Sequence, residues 1–251
     1  MPISTLVRRL SRAPRPQIPA EQRVYAVGDI HGRLDLLEEL LGRIEEDEAG
    51  RAPADTTLIF LGDLVNRGPD SRGVVERLLR LSRERPGTRF LKGNHEQVLL
   101  RAVTADPKAV RFLVRIGGRA TLLSYGIPEA EYDQLDYVAL TERFAPLVPQ
   151  DHVEFLTGFE DWLAIGDYLF VHAGLRPGVA VEDQSPEDLR WIRSEFLDHR
   201  SSFGKVVVHG HSITEEVEIR PNRIGIDTGA YASGRLSAVG LEGSERWFLS
   251  T

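Results

Sequence analysis

The apolar runs at 24–27, 57–61 and 88–91 each lead into a glycine followed by an acid or an amide: Gly28-Asp29, Gly62-Asp63 and Gly93-Asn94. Between the first two runs, Leu34, Leu37, Leu40, Leu41 and Ile44 recur at helical spacing. Between the second and third, Val74, Val75, Leu78, Leu79 and Leu81 do the same after Ser71, a candidate N-cap. Strand, helix, strand, helix, strand is the alternation of a parallel sheet with crossover helices, so the chain is expected to be α/β. Further strands are expected at 168–171, 205–208, 224–226 and 236–241. The stretch from about 97 to 160 breaks the rhythm. It reads as a helical cap, punctuated by Gly117-Gly118, Gly126, Pro128, Pro146 and Pro149. Open α/β sheets bind ligands along the carboxyl edge of their strands, where loops from distant parts of the chain converge.

That edge is where the unusual residues fall. Five short signatures follow strand-like runs in a fixed order: Gly-Asp-Ile-His-Gly at 28–32, Gly-Asp-Leu-Val-Asn-Arg-Gly at 62–68, Gly-Asn-His-Glu at 93–96, His-Ala-Gly at 172–174 and His-Gly-His at 209–211. Five of the seven histidines (His31, His95, His172, His209, His211) and two of the three asparagines (Asn66, Asn94) sit in them. Asp29 and His31 alternate on an extended loop and can face one cation. Asp63 has two oxygens and can bridge two cations. Asn94 offers an amide oxygen, and His172 and His211 offer imidazole nitrogens. Two divalent ions roughly 3.5–4 Å apart can acidify a bridging water and clamp both oxygens of a phosphoryl transfer. Each signature alone is weak, whereas the ordered set points to a two-metal hydrolytic site.

Composition narrows the rest. The 251 residues are 41% hydrophobic and 27% charged, the balance of a globular protein. No apolar run approaches the ~18 residues of a membrane span. Without cysteine, disulfides, thiolate sites and cysteine nucleophiles are excluded, leaving oxygen and imidazole donors that suit Mn²⁺, Fe or Zn. The net charge of −7 argues against nucleic-acid binding. A cytoplasmic location is expected. Residues 1–22 form a basic, proline-containing lead-in with Arg8, Arg9, Arg12 and Arg15, ahead of a single domain at 23–251; Arg23 closes the basic run.

The ordered pattern resembles the phosphoprotein phosphatase family of calcineurin-like metallophosphoesterases, particularly its bacterial Ser/Thr protein phosphatase branch, over roughly residues 23–241. The resemblance implies a two-sheet β-sandwich flanked by helices, with a helical cap. It implies that Asp29, His31 and Asp63 hold one divalent ion, and that Asp63, Asn94, His172 and His211 hold the other, with Mn²⁺ the expected metal. His95 matches the acid that protonates the leaving alkoxide. Arg67 and Arg193, the latter in Arg190-Trp191-Ile192-Arg193, match phosphate-clamping arginines, and Arg33 is a weaker phosphate candidate. The implied reaction is hydrolysis of phosphoserine or phosphothreonine in proteins or peptides by a metal-bridging hydroxide, with small phosphate esters as further substrates. A symmetric dinucleoside tetraphosphatase, with nearly the same motifs, is the first alternative. That branch usually has Asp where this chain has Glu96. A catalytically weak phosphoprotein-binding module is the second.

One departure carries an expectation of its own. Most members have aspartate at the position of Asn66, where it orients the catalytic histidine. An amide can accept a hydrogen bond from imidazole but adds no negative charge. A lowered His95 pKa and weaker acid catalysis are therefore expected, with the loss larger for phosphoserine than for an aryl phosphate. Outside the metal set, Glu96 is expected near a helix N-terminus, His209 either hydrogen-bonded to the site or in a core or surface position, and Asp227 as a buttress for the metal loops. His152 and His199 read as surface residues, and Phe112, Tyr125, Tyr132, Tyr137, Phe144 and Phe155 as cap packing.

Overall fold

The computed structural model describes residues 15–104 and 106–251. Arg8, Arg9 and Arg12 of the basic lead-in lie outside them. In chain order the elements are β1 (Gln22–Val27), α1 (Leu34–Ala49), β2 (Asp55–Phe60), α2 (Ser71–Glu84) and β3 (Arg89–Phe90). A helical stretch follows: α3 (Asn94–Ala102), α4 (Pro107–Leu113), a π-helical turn at Val114–Gly118, α5 (Arg119–Ser124), α6 (Glu129–Tyr132), α7 (Tyr137–Phe144) and α8 (Gln150–Thr157). Next are β4 (Trp162–Ile165), β5 (Tyr168–Val171), α9 (Pro186–Trp191), α10 (Ser194–Leu197), β6 (Val206–His209), β7 (Glu218–Ile219) and β8 (Arg223–Gly225). The chain closes with α11 (Ala230–Ser233), β9 (Ser237–Glu242) and β10 (Glu245–Ser250).

The strands form two five-stranded sheets, ordered β10-β9-β1-β2-β3 and β4-β5-β6-β8-β7. Neither is purely parallel. β1, β2 and β3 run parallel, but β9 pairs antiparallel with β1 and β10 antiparallel with β9. In the second sheet β5, β6 and β8 are parallel, while β4 and β7 close its edges in the opposite sense. The antiparallel edge strands β4, β7 and β10 are the ones the apolar pattern misses. Their residues are half-buried or exposed, so they carry little of the apolar signal that marks a buried strand.

The period-two alternation of strand side chains decides which face each residue serves. Val24 and Ala26 of β1, Tyr168 and Phe170 of β5, and Val206 and Val208 of β6 meet between the sheets, joined by Ile59, Ile224, Val239 and Leu241. The intervening Tyr25 and Val27 face outward onto α1 and α2, where Leu37, Leu40, Val75 and Leu78 cover them. Leu169, Val171 and Val207 face the other way onto Leu189 and Phe196 of α9 and α10. Each fully buried apolar side chain contributes about 1.5–3 kcal/mol. Leu113, Leu122, Tyr125, Leu140 and Phe144 of the α3–α8 stretch share one apolar cluster with α1, α2 and the outer face of the first sheet. Ile18, just before β1, is buried in the inter-sheet layer, and Arg23 is a structural cation paired with Glu242 at 2.8 Å. Among the described residues no helix is long and apolar enough to cross a membrane.

The α2 cap differs from expectation. Asp70 is the N-cap, its carboxylate accepting the Gly73 N–H at 2.7 Å. Ser71 is the first helical residue, and its hydroxyl is turned back to accept the Asn66 N–H at 2.9 Å. An aspartate can reach the first-turn amides as well as a serine can, which leaves the Ser71 hydroxyl available to the loop before it.

Candidate metal centre

Backbone strain is concentrated at one place. Among the described residues, non-glycine positive φ angles occur at Glu21 and at His31 (48°), Asp63 (51°), Asn66 (73°), Arg67 (71°) and His211 (63°). A non-glycine residue held there costs on the order of 1–3 kcal/mol and persists where its surroundings leave no alternative. The packing shows why these do. Gly62 (φ 96°) approaches so closely that a Cβ would lie 2.5 Å from the Gly93 nitrogen, and a Cβ on Gly93 would collide with the Asp63 carboxylate. Glu96, at the start of α3, ties the same loops together. Its carboxylate accepts N–H groups of Asp63 (2.8 Å), Leu64 (2.8 Å) and Gly93 (3.0 Å). Burial and the neighbouring Asp63 push Glu96 up to about 7.

The strained loops bring together two groups of buried residues that could hold a metal ion, His31, Asp63 and His95, and Asp63, His172 and His211, with the donor atoms of each within 4.8 Å of one another. Asp63 belongs to both. Its Oδ2 lies 3.7 Å from His31 Nε2 and 3.8 Å from His95 Nε2, and its Oδ1 lies 3.4 Å from His172 Nε2. Asn94 Oδ1 and His211 Nδ1 stand 3.1 and 3.2 Å from His172 Nε2. Asp29 joins through its carboxylate, which accepts the His211 N–H at 3.1 Å.

Donor chemistry fits divalent cations. The Nδ1 atoms of His31 and His172 are engaged with the carbonyls of Val65 and Leu61, both at 2.8 Å, which turns each Nε2 inward. Such second contacts fix the imidazole orientation a metal needs. Burial takes His31 down to about 3 and His211 down to about 2, so both present neutral nitrogens. Burial and the neighbouring Asp227 and Asp63 push Asp29 well above the usual carboxylate range. Burial opposes the charges of Asp63 and His172, yet the surrounding imidazoles hold Asp63 well below its usual range and Asp63 holds His172 above its own. Buried carboxylates crowded in this way are compensated by cations.

Within this cluster, His95 Nδ1 lies 2.7 Å from Asn66 Nδ2, and Asn66 Oδ1 accepts the Thr121 hydroxyl at 2.7 Å. The amide thus donates to the imidazole, where the sequence suggests it would accept; Thr121 occupies its oxygen. Burial, aided by Arg67, brings His95 down to about 4.

The family model described as calcineurin-like phosphoesterase matches residues 22–237. The chain belongs to that family. It is similar to a symmetrical bis(5'-nucleosyl)-tetraphosphatase of Acidovorax sp. (strain JS42), 34% identical over 160 residues. These are 64% of this chain and 47% of that protein, so the match spans about half the relative's length. Similarity to serine/threonine-protein phosphatase 2 of Escherichia coli (strain K12) is 27% over 230 residues, covering 86% of this chain and 91% of that one. Among solved structures, a candidate diadenosine tetraphosphatase superposes with a TM-score of 0.62 at 26% identity, covering 91% of this chain and 93% of that one.

The remaining residues of interest divide around this candidate centre. Arg67 Nη2 lies 3.5 Å from His95 Nε2. Arg193 is exposed at the start of α10, and its charge helps to lower both His95 and His211. Arg190 is engaged by Asp161 at 2.5–2.9 Å, and Arg33 by Asp35 and the Ala230 carbonyl. Arg33 is thus committed to an ion pair. Asp227 accepts the Gly229 N–H at 2.9 Å and lies beside Asp29. His209 is buried against Phe196, ring centroids 5.0 Å apart, and among the described residues its ring bonds to the Gly210 carbonyl alone. His152 corrects its surface reading: it is fully buried between Tyr125 Oη (3.0 Å) and Glu76 (2.9 Å). His199 is half-buried against Phe203. Of the aromatics, Tyr125 and Phe144 are buried, Phe112, Tyr132 and Phe155 pack half-buried, and Tyr137 is exposed.

Three contributors escape the sequence reading. Tyr231, 37% exposed, stacks under the Arg67 guanidinium (4.6 Å) and meets His31 edge-on. Thr121 holds Asn66. Gly117, in the π turn, accepts the Arg67 N–H at 2.9 Å. None lies in a motif, and the Gly117-Gly118 pair reads only as punctuation.

Proposed function

We propose that this phosphoesterase hydrolyses phosphoester or phosphoanhydride bonds using two divalent cations, most simply Mn²⁺ with Fe or Zn as alternatives. Asp29, His31 and Asp63 would hold one, and Asp63, Asn94, His172 and His211 the other. The observation that carries this reading is Asp63, whose two oxygens face two different histidine groups. Bound divalent ions would supply acidified water and positive charge at the phosphoryl oxygens. Arg67 and Arg193 suit the task of gripping those oxygens, since guanidinium matches phosphate in a bidentate manner. His95 is placed in the reading beside the leaving oxygen. The α3–α8 stretch is proposed as the cap that limits access, and the cytoplasm as the setting.

For substrate, a dinucleoside polyphosphate is favoured. Several relatives are named for that activity, and Tyr231 gives a base an aromatic face next to Arg67. Phosphoserine or phosphothreonine in proteins is the second reading, supported by similarity to the E. coli phosphatase over most of both chains. Metal analysis with paired assays tests both. Expected are two ions per chain, turnover of p-nitrophenyl phosphate with Mn²⁺, and faster cleavage of diadenosine tetraphosphate than of a phosphopeptide. The reverse ranking selects the second reading. A chain that holds no ions and turns over nothing is a binding module, and the proposal fails.

A further inference from the structure

We propose that a buried hydrogen-bond chain, Ser71 to Thr121 to Asn66, fixes His95 as the tautomer protonated on Nε2. Its site-facing nitrogen is then a hydrogen-bond donor and is barred from coordinating metal. The functional part of this inference rests on the reading of His95 given above; the tautomer itself does not.

Asn66, Ser71 and Thr121 are fully buried and His95 nearly so, so their polar groups must satisfy one another. The Asn66 backbone N–H points at Ser71 Oγ (2.9 Å) and Thr121 Oγ1 (3.0 Å), and the two hydroxyl oxygens are 2.8 Å apart. Each hydroxyl has one proton. With Thr121 donating to Asn66 Oδ1 and Ser71 donating to Thr121, every hydroxyl proton has an acceptor. The Asn66 amide then donates to His95 Nδ1 at 2.7 Å. With the amide reversed, its N–H would donate to Thr121, Thr121 would donate to Ser71, and the buried Ser71 proton would have no acceptor. An unsatisfied buried donor is the costlier arrangement. Arg67 Nη2 stands 3.5 Å from His95 Nε2, the outer limit of a hydrogen bond, whereas the Asn66 contact is short. Two N–H groups converging there suit oxygens of a substrate.

Two consequences follow. His95 falls within reach of the His31 and Asp63 ligand atoms, but a protonated Nε2 has no lone pair to offer a cation. In hydrolysis a water oxygen bonds to phosphorus and its proton passes to solvent, while the P–O electron pair passes to the leaving oxygen, which stays anionic and accepts a hydrogen bond from Nε2–H. Full proton transfer would leave an imidazolate and is disfavoured. The site therefore suits leaving groups stable as anions, such as nucleotide phosphates and aryl oxides, over a serine alkoxide.

The test uses ¹⁵N-histidine protein, metal-free and Zn²⁺-loaded, with His95 assigned by comparison with His95→Gln. Long-range ¹H–¹⁵N correlation should show Nε2 protonated and Nδ1 unprotonated. Asn66→Asp should move the proton to Nδ1, Thr121→Val should mix the tautomers, and Thr121→Ser should restore the original one. His95→Ala should keep the wild-type metal content. Asn66→Asp should raise turnover of a phosphoserine peptide relative to p-nitrophenyl phosphate by on the order of 10²-fold, the lower end of general acid catalysis. A wild-type Nδ1–H signal, or loss of an ion in His95→Ala, overturns the proposal. An inactive but folded protein would sink the hydrolytic reading while leaving the tautomer measurable.

Discussion

Arg67 is held from two sides, its own N–H by the Gly117 carbonyl and its guanidinium by the Tyr231 ring, and its tip stands 3.5 Å from His95 Nε2. A cation so constrained contributes where charge develops, because its position is fixed before substrate arrives. Arg67→Ala is expected to lower kcat by about 10²–10³-fold with unchanged metal content. Arg67→Lys should recover little, since an ammonium cannot reproduce the planar fork or its stacking. Steady-state kinetics beside metal analysis check both; full recovery by lysine would argue against a bidentate role. The metal-ligand candidates were legible in the sequence because each sits in a motif with a glycine at the chain's turning point. Tyr231, Thr121 and Ser71 were not. Their roles arise from side chains meeting across 50 or more positions (Ser71 with Thr121), and no local pattern encodes such a meeting.

At the scale of elements, the π turn at Val114–Gly118 links the α3–α8 stretch to the site. Gly117 adopts φ 99°, and a Cβ there would sit 2.8 Å from Arg67 Cγ. Gly117→Ala should therefore strain the backbone by about 1–3 kcal/mol and displace Arg67. A urea midpoint shift together with lowered kcat/KM is the expected result. A stability loss with unaltered kinetics would uncouple the turn from the site. The parallel strands β1, β2, β5 and β6 could be read from apolar runs, because both of their faces are buried. The edges could not. β10 forms a hairpin with β9 and is mostly exposed or half-buried, so its composition resembles that of a loop. The α3–α8 stretch was recognisable as helical, yet its place in one core with α1 and α2 depends on meetings far apart in sequence, such as Phe155 of α8 edge-on to Phe90 of β3, which stacks on Phe60 of β2.

For the whole molecule, one acid response comes from His209, buried against Phe196 two residues before His211. Burial lowers it from about 6.5 to about 4. The unfolded chain then takes up a proton near pH 6.5 that the folded chain refuses until about pH 4. Stability from this residue is complete above pH 6.5 and is lost as pH falls towards 4. The stability difference between wild type and His209→Asn should shift against wild type across that window, and chemical denaturation at several pH values measures it. A difference that does not vary with pH would mean His209 is protonated in the fold. The ligand candidates, finally, come from both sheets: Asp29, Asp63 and Asn94 follow β1, β2 and β3, and His172 and His211 follow β5 and β6. Within the proposed reading, bound cations act as a clasp across the mouth of the sandwich. Linkage is reciprocal, so whatever slides one sheet over the other must also loosen the ions. A substitution in the inter-sheet layer, such as at Ile59 or Val239, would then register first as a change in metal affinity, making the centre a gauge of how the two sheets are aligned.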